Sequence, residues 1–118
     1  MHTVETLFPD LEPRYLTRIY FGLAVCLTRI KIGKTGRPNG RRGGEMHFTE
    51  LCSVPGGDLT EQMYHDMYAA ERIGKTEWFH LSDRLLTDLY AMCVKQERRE
   101  SAEILKTIIL TRLREASA

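Results

Sequence analysis

The sequence predicts an α/β (α+β) fold, in which a small, mostly antiparallel three-stranded sheet is flanked by helices. Three observations support this prediction. A chain of 118 residues is the size of one domain. Two strand-forming runs follow one another closely in its first third, and apolar residues recur at helical spacing through its second half. We expect a lead-in over residues 1–14, a compact domain over 15–94 and an amphipathic helical extension over 95–118.

The strands are predicted from runs of β-branched and aromatic residues. TRIYFGLAVC (17–26) and TRIKIGK (28–34) form a hairpin, and in the second run Arg29 and Lys31 alternate with two isoleucines. FTELCSV (48–54) is a third strand. TEWFHL (76–81) is a further strand-like segment, whose Trp78 and Phe79 we expect in the core. GRPNGRRGG (36–44) is rich in glycine and is predicted to be a basic loop.

Three helices are predicted downstream. Asp58 caps the first, in which one row of apolar residues is expected to face the core and a second row to face something polar. The apolar row is Leu59, Met63, Met67 and Ala70, and the second row is Glu61, Tyr64, His65 and Tyr68. Ser82 caps the next helix, which buries Leu85, Leu86, Leu89 and Cys93.

The last helix presents an apolar stripe made of Ile104, Leu105, Ile108, Ile109 and Leu113. No glycine or proline separates it from the helix before it. It is therefore a continuous arm, one half of a helical hairpin that returns to the core, or a segment that forms a homodimer or binds a protein partner.

The tetrapeptide IGKT occurs twice, at 32–35 and at 73–76. It resembles the end of a phosphate-binding P-loop, but that loop needs a glycine five residues before the Gly-Lys pair. Thr28 and Ala69 occupy those positions, so neither copy is a P-loop. We expect the first copy in a strand. Gly74 of the second copy is predicted to end the first helix.

Composition excludes several classes of protein. A net charge of +1 does not indicate a nucleic-acid or membrane partner, and no apolar run or leader-like start predicts a membrane span or signal peptide. The cysteines and histidines lack the spacing of a zinc site, so we expect Cys26, Cys52 and Cys93 to be reduced core thiols. These features predict a cytoplasmic protein.

Local charge is more informative than net charge. The window from residue 29 to residue 42 contains six basic residues and no acid, which suits a polyphosphate backbone. An ordinary solvated loop is the alternative. The six residues are Arg29, Lys31, Lys34, Arg37, Arg41 and Arg42.

Taken in order, RIYFGLAVCLTRIKIGKT, the arginine-bearing loop, EQMYHDMY and EWF resemble the GIY-YIG nuclease superfamily. The likeness is greatest to a branch common in phages and bacteria, which has KIGKT as its second motif. It covers about residues 18–81. It implies a metal-dependent endonuclease that hydrolyses DNA, and it suggests a phage or mobile-element origin.

The resemblance gives roles to a tyrosine, an arginine and a glutamate of this chain, and it draws attention to Lys31 and His65 beside them. Tyr20 matches the tyrosine that takes part in activating water, Lys31 replaces the second tyrosine, and Glu61 matches the ligand of one Mg²⁺ or Mn²⁺ ion. Arg41 stands where the family carries its catalytic arginine, unless the register shifts by one to Arg42. His65 lies one helical turn after Glu61, where it would orient a ligand or touch the phosphate.

These residue types suit phosphodiester hydrolysis. Mg²⁺ accepts one carboxylate together with waters and substrate oxygens, and a guanidinium binds a phosphate at two points. A positive charge beside the phenol would favour its ionised form, and Lys31 or Lys34 is expected to supply it. Arg29, Lys34, Arg37 and Arg42 are expected to grip the DNA backbone.

Each assignment has an alternative. Tyr20 would otherwise be an ordinary strand aromatic, His65 a packing residue, and Glu61 the partner of Asp58 in a capping box at the helix start. Arg18 replaces the glycine that opens the first family motif. A catalytically silent module that binds nucleic acid or protein is therefore the alternative function.

Overall fold

The computed structural model describes residues 17–35 and 48–117. Within these ranges the chain forms four strands, three α-helices and one turn of 3₁₀-helix at Ala69–Glu71. The strands are β1 (Arg18–Ala24), β2 (Arg29–Thr35), β3 (Phe48–Pro55) and β4 (Trp78–His80). The helices are α1 (Asp58–Met67), α2 (Asp83–Lys95) and α3 (Arg99–Ser117).

The strands form one antiparallel sheet in the order β3-β1-β2-β4. This arrangement confirms the predicted α+β class and its flanking helices. The sheet has four strands rather than three because the segment TEWFHL adds β4 beside β2, where Ile30 pairs with Phe79. The predicted hairpin is confirmed as well, and its strands β1 and β2 lie at the centre of the sheet.

One face of the sheet forms the core with α2 and α3. Because strand residues alternate between faces, Ile19, Phe21 and Ile32 point to this side, and each is 0% exposed. The α2 residues predicted to be buried are buried, and the Ser82 side chain accepts a hydrogen bond from the Leu85 amide as predicted. Cys52 and Cys93 lie in the core as free thiols, whereas Cys26 is exposed, contrary to expectation.

Helix α1 faces the core with the opposite side from the one predicted. Leu59 is 89% exposed and Met63 is 48% exposed, whereas His65 and Tyr68 are buried. Tyrosine and histidine rings supply apolar area, and their polar atoms find partners inside the protein. The Tyr68 hydroxyl donates to Asp88 at 2.7 Å, and the Tyr64 ring contacts Phe21 edge to face at 5.1 Å.

The side of α1 that faces the core leads to a testable prediction. Tyr68→Phe should lower the free energy of unfolding by about 1 kcal/mol, since it removes the bond to Asp88 and leaves that carboxylate without this donor. Met63→Gln, on the opposite side of the helix, should change it by less than about 0.5 kcal/mol. Urea denaturation of both variants measures this difference. A larger loss for Met63→Gln would contradict the observed orientation.

The second IGKT does not cap a helix. Helix α1 ends at Met67, and Ile73 to Thr76 form the turn that leads into β4. Gly74 adopts a left-handed φ of 60° there, and the Thr76 hydroxyl donates to the Ile73 carbonyl at 2.6 Å. The first IGKT lies in β2. The same four residues therefore form a strand in one context and a turn in the other.

Helices α2 and α3 form a hairpin that returns to the core, which rules out the continuous arm. A homodimer or protein partner at the last helix stays a prediction. Leu105 is 0% exposed, and the Ser101 hydroxyl donates to the Leu51 carbonyl of β3 at 2.7 Å. Further along, the Arg112 guanidinium donates to the Leu81 carbonyl at 2.7 Å. Ile104 and Leu113 stay exposed.

No helix among residues 17–35 and 48–117 is long and apolar enough to cross a membrane.

A nearly buried carboxylate ties the 3₁₀ turn to α2. Glu71 accepts hydrogen bonds from the Ser82 hydroxyl at 2.7 Å and from two nitrogens of Arg84 at 2.7 and 3.1 Å. The Arg84 bonds, followed by that of Ser82, hold the pKa of Glu71 below its ordinary value against the opposing effect of burial. This carboxylate stabilises the junction between α1 and β4 only while it is ionised.

Stability should therefore fall on acidification in a way that depends on Glu71. Because the folded pKa lies below the unfolded one, the contribution is complete above about pH 4.3 and disappears as the pH falls through the folded pKa. Glu71→Gln should cost roughly 1–2 kcal/mol at neutral pH and almost nothing at pH values below the folded pKa. Urea titrations across this range, with Glu103→Gln as the exposed control, measure the difference. A pH-independent cost would contradict the prediction.

Candidate active site

The residues that the sequence singled out in the hairpin lie on one face of the sheet. Tyr20 pairs with Gly33 and Gly22 pairs with Lys31, so side-chain alternation puts all four opposite the core face. Tyr20 and Lys31 are diagonal neighbours across the two strands. This register confirms the expectation that the hairpin brings them together.

Tyr20 lies directly against Gly33. A Cβ atom at Gly33 would stand 2.6 Å from the phenol oxygen and 2.7 Å from Cζ, closer than atoms approach. The Tyr20 ring also stacks on Phe48, with 5.4 Å between centroids and 9° between planes, and the residue is 3% exposed. The glycine of the first IGKT therefore makes room for this phenol and fixes its position.

Lys31 is held between aromatic rings and a carboxylate. Its Nζ lies 5.7 Å from the centroid of Phe48, 5.8 Å from that of Trp78 and 3.9 Å from Oε1 of Glu77. The prediction that Trp78 lies in the core is wrong. Its pairing with Lys31 turns its side chain to the sheet face opposite that of Phe79. Phe48 contacts both Tyr20 and Lys31, so the aromatic rings join the two polar groups into one cluster.

Glu61 does not take part in a capping box. Gly57 is the N-cap of α1, and no side chain of the described residues forms a hydrogen bond at that cap. Asp58 is the first helical residue and pairs with Lys34, whose Nζ lies 2.5 Å from its Oδ1. The Glu61 atom Oε2 is buried and has no hydrogen-bond partner within residues 17–35 and 48–117. Buried polar atoms nearly always have a partner, so this one requires an explanation.

A divalent cation would satisfy the orphaned oxygen. Hard cations bind carboxylate oxygens, and Mg²⁺ uses few protein ligands because it keeps several waters. Among residues 17–35 and 48–117, no cluster of three or more His, Cys, Asp or Glu side chains could hold a metal. A single carboxylate such as that of Glu61 is compatible with Mg²⁺ when water and substrate oxygens complete the shell.

His65 attaches α1 to the sheet. Its Nε2 lies 2.9 Å from the carbonyl oxygen of Ile32, its ring centroid is 5.2 Å from that of Phe79, and it is 6% exposed. These contacts favour the packing alternative over contact with a phosphate. By holding the helix against β2, His65 positions Glu61, which lies one turn before it.

Strand β2 joins the two parts of the site. Lys31 and Gly33 point to the Tyr20 face, whereas the Ile32 carbonyl and the Lys34 side chain contact α1 from the other side. Lys34 therefore does not share a face with Tyr20. Of the two lysines expected to supply a charge beside the phenol, only Lys31 is placed to do so.

The basic residues differ in their surroundings. The hydrogen bond that Lys34 donates to Asp58 is the main cause that raises the pKa of this lysine, and Glu61 adds to it through its charge. The Lys34 and Asp58 side chains are 37% and 84% exposed, so their pair is weak and a phosphate could compete for the lysine. Arg29 is exposed at the start of β2. Arg37, Arg41 and Arg42 lie outside the described residues.

Sequence reasoning missed three contributors to this face. Arg18 donates from Nε to the Ser53 hydroxyl at 2.8 Å, and alternation from Tyr20 would have located it. Phe48 and Trp78 enclose Lys31, but their place depends on the pairing of β3 and β4. The β3 register shifts between Phe21 and Gly22, and no local pattern in the sequence gives that shift.

Comparison with known proteins adds no relative. No family model, no curated protein and no solved structure matches the chain. A proposed function therefore rests on the residues, their geometry and the motif resemblance.

Proposed function

We propose that this protein is a small GIY-YIG-like endonuclease that hydrolyses phosphodiester bonds in DNA with one divalent metal ion. One observation carries the proposal: Oε2 of Glu61 is buried without a hydrogen-bond partner in the described part of the chain, at the position where the resemblance requires a metal ligand. The close fit of Tyr20 over Gly33 is independent support, because it explains why the second motif needs its glycine.

The chain's own residues have defined tasks in this proposal. Tyr20 offers a phenol whose position is fixed by Gly33 and Phe48. In its ionised form it would accept the proton of the attacking water and become the neutral phenol. Lys31 keeps a positive charge on the same face, which favours an anion there. Its aromatic neighbours limit its freedom, so the charge is oriented before substrate arrives.

Glu61 would hold the metal, with His65 and the Ile32 carbonyl fixing the helix that carries it. The bound ion, Mg²⁺ or Mn²⁺, would polarise the phosphoryl oxygen and stabilise the leaving 3′ oxygen. Arg41 would pair with the scissile phosphate and offset the charge that builds on it. Arg29, Lys34, Arg37 and Arg42 would bind the flanking DNA backbone, which makes binding dependent on salt.

The cytoplasm is the compartment that we propose for this activity. Cys26, Cys52 and Cys93 are all free, as expected where thiols are kept reduced. A phage or other mobile element remains the proposed origin, on the resemblance alone.

Nicking of supercoiled plasmid tests the proposal. Native protein with Mg²⁺ or Mn²⁺ should convert supercoiled to open-circular DNA, a chelator should abolish this conversion, and Arg41→Ala should reduce it about 100-fold or more. Absence of nicking in both metals by native, DNA-bound protein would favour the alternative, a silent binding module of the same fold. Binding of the protein to a labelled duplex in chelator, measured by fluorescence anisotropy, distinguishes that module from an inactive preparation.

A further inference from the structure

The turn between β1 and β2 exposes apolar side chains without a structural reason. Val25 is 77% exposed and Leu27 is 48% exposed, although neither packs into the core. Leu27 also adopts a left-handed φ of 63°, while its amide donates to the Ala24 carbonyl at 2.9 Å. Tight hairpins normally place glycine, asparagine or aspartate at such positions. Residues that conflict with local preference often mark a functional site.

A cavity of about 240 Å³ opens beside this turn. It is lined by Ala24, Val25, Cys26, Arg29 and Trp78. Because Arg29 is two residues from Lys31 on β2 and Trp78 pairs with Lys31, the cavity opens on the face that carries Tyr20. It therefore adjoins the candidate active site and combines an indole, a guanidinium and exposed aliphatic groups.

We propose that this cavity binds a single unpaired nucleobase of the DNA substrate, stacked on Trp78, with Val25 against the base and Arg29 at the adjoining phosphate. The inference rests on the proposed function, because it assumes that DNA is the substrate, and it adds a preference for sites where a base is unstacked. Aromatic rings stack on bases of any sequence, and the stacking adds about 5- to 100-fold in affinity per base.

The chemistry of the cavity favours a base over a protein segment. A base presents a flat apolar face that matches the indole, and it arrives with a phosphate that matches the exposed Arg29. Apolar side chains at the tip of a turn are also suited to insert between two neighbouring base pairs and unstack them. A paired base inside a duplex cannot reach Trp78, so the cavity discriminates between paired and unpaired DNA.

Tryptophan fluorescence provides a direct test, because Trp78 is the only tryptophan in the chain. The full-length protein is titrated in chelator with a short oligo-dT strand, with a fully paired duplex, and with the same duplex carrying one extrahelical thymine. Anisotropy of labelled DNA reports binding in parallel. We expect quenching with the first and third probes and little change with the paired duplex, even when the duplex is bound.

Two variants sharpen the test. Trp78→Ala should weaken binding of the extrahelical-base duplex about 5- to 100-fold more than binding of the paired duplex. Val25→Asp, at a side chain that is 77% exposed, should produce the same selective loss without affecting folding. Leu110→Asp on α3, exposed and far along the chain from the cavity, is the matched control and should bind all probes as the native protein does.

Cys26 gives a readout that does not depend on Trp78. It lines the cavity and is exposed, whereas the other two cysteines are buried, so iodoacetamide should modify it first. The extrahelical-base duplex should slow this alkylation, and the paired duplex should not. Equal quenching and equal protection by both duplexes would overturn the base site while leaving the nuclease proposal intact. Loss of all DNA binding would overturn both, whereas plasmid nicking without base discrimination would overturn only the inference.

Discussion

Glu61→Gln is expected to reduce metal-dependent nicking of plasmid by about 100-fold or more, which is the loss typical when a charge-stabilising group is removed from an active site. The amide keeps the size of the side chain and removes the charge that would hold a cation. The free energy of unfolding should not fall, because burying a neutral amide costs less than burying a carboxylate with an unsatisfied oxygen. Activity and stability should therefore change in different directions.

Thermal denaturation with and without metal separates this effect from a general defect. Native protein should melt at a higher temperature in Mg²⁺, since a ligand that binds only the folded state stabilises it by about 2.7 kcal/mol at 100 times its Kd. Glu61→Gln should show no such shift, and Glu103→Gln on the exposed side of α3 should behave as native. Nicking at native rates by Glu61→Gln in both metals would sink the proposed role of this carboxylate.

Gly33→Ala is expected to remove most of the activity while leaving the protein folded. Its Cβ would lie 2.6 Å from the Tyr20 hydroxyl, and the ring cannot move aside freely because it is stacked on Phe48. Overpacking of this kind costs about 1–3 kcal/mol of unfolding free energy. Displacing the phenol by about 1 Å should lower the rate of cleavage by about 100-fold.

The second IGKT supplies the matched control. At Gly74 no atom of the described residues lies within 4 Å of an added Cβ, but φ is 60°, so Gly74→Ala should cost roughly 1–2 kcal/mol through backbone strain. Its nicking rate, measured at a temperature where both variants are folded, should equal that of the native protein. Equal loss of activity in the two variants would mean that stability, and not the position of Tyr20, limits the reaction.

Most of the fold was predictable from local patterns. The strand alternation around Ile30 and Ile32, the Ser82 cap and the leucine stripe of α2 each match a simple period or a single hydrogen bond. The orientation predicted for helix α1 was wrong, because the polarity of its residues does not by itself decide which side of the helix is buried. A tyrosine or histidine ring whose polar atom is satisfied can bury as well as methionine, and the presence of Asp88 or the Ile32 carbonyl at the right distance depends on tertiary structure.

The site was predictable only in part, for a related reason. The diagonal pairing of Tyr20 and Lys31 follows from a two-strand register that the sequence indicates. The enclosure of Lys31 by Phe48 and Trp78 joins residues from three strands, and it depends on a register shift in β3. The sequence does not distinguish Glu61 from a capping residue. The backbone conformation makes Gly57 the N-cap in place of Asp58, and no local pattern of residues indicates this.

Strand β2 sends alternate residues to two different halves of the site, and this constrains how the chain can vary in length. One residue inserted between Ile30 and Lys31 would exchange the faces of the strand residues that follow it, so that Lys31 and Gly33 would leave Tyr20 and enter the core. An insertion in the exposed turn after Ala24 would leave both faces intact. Natural variants of this protein should therefore differ in length at the turn and never within the strand, even where their individual residues have diverged.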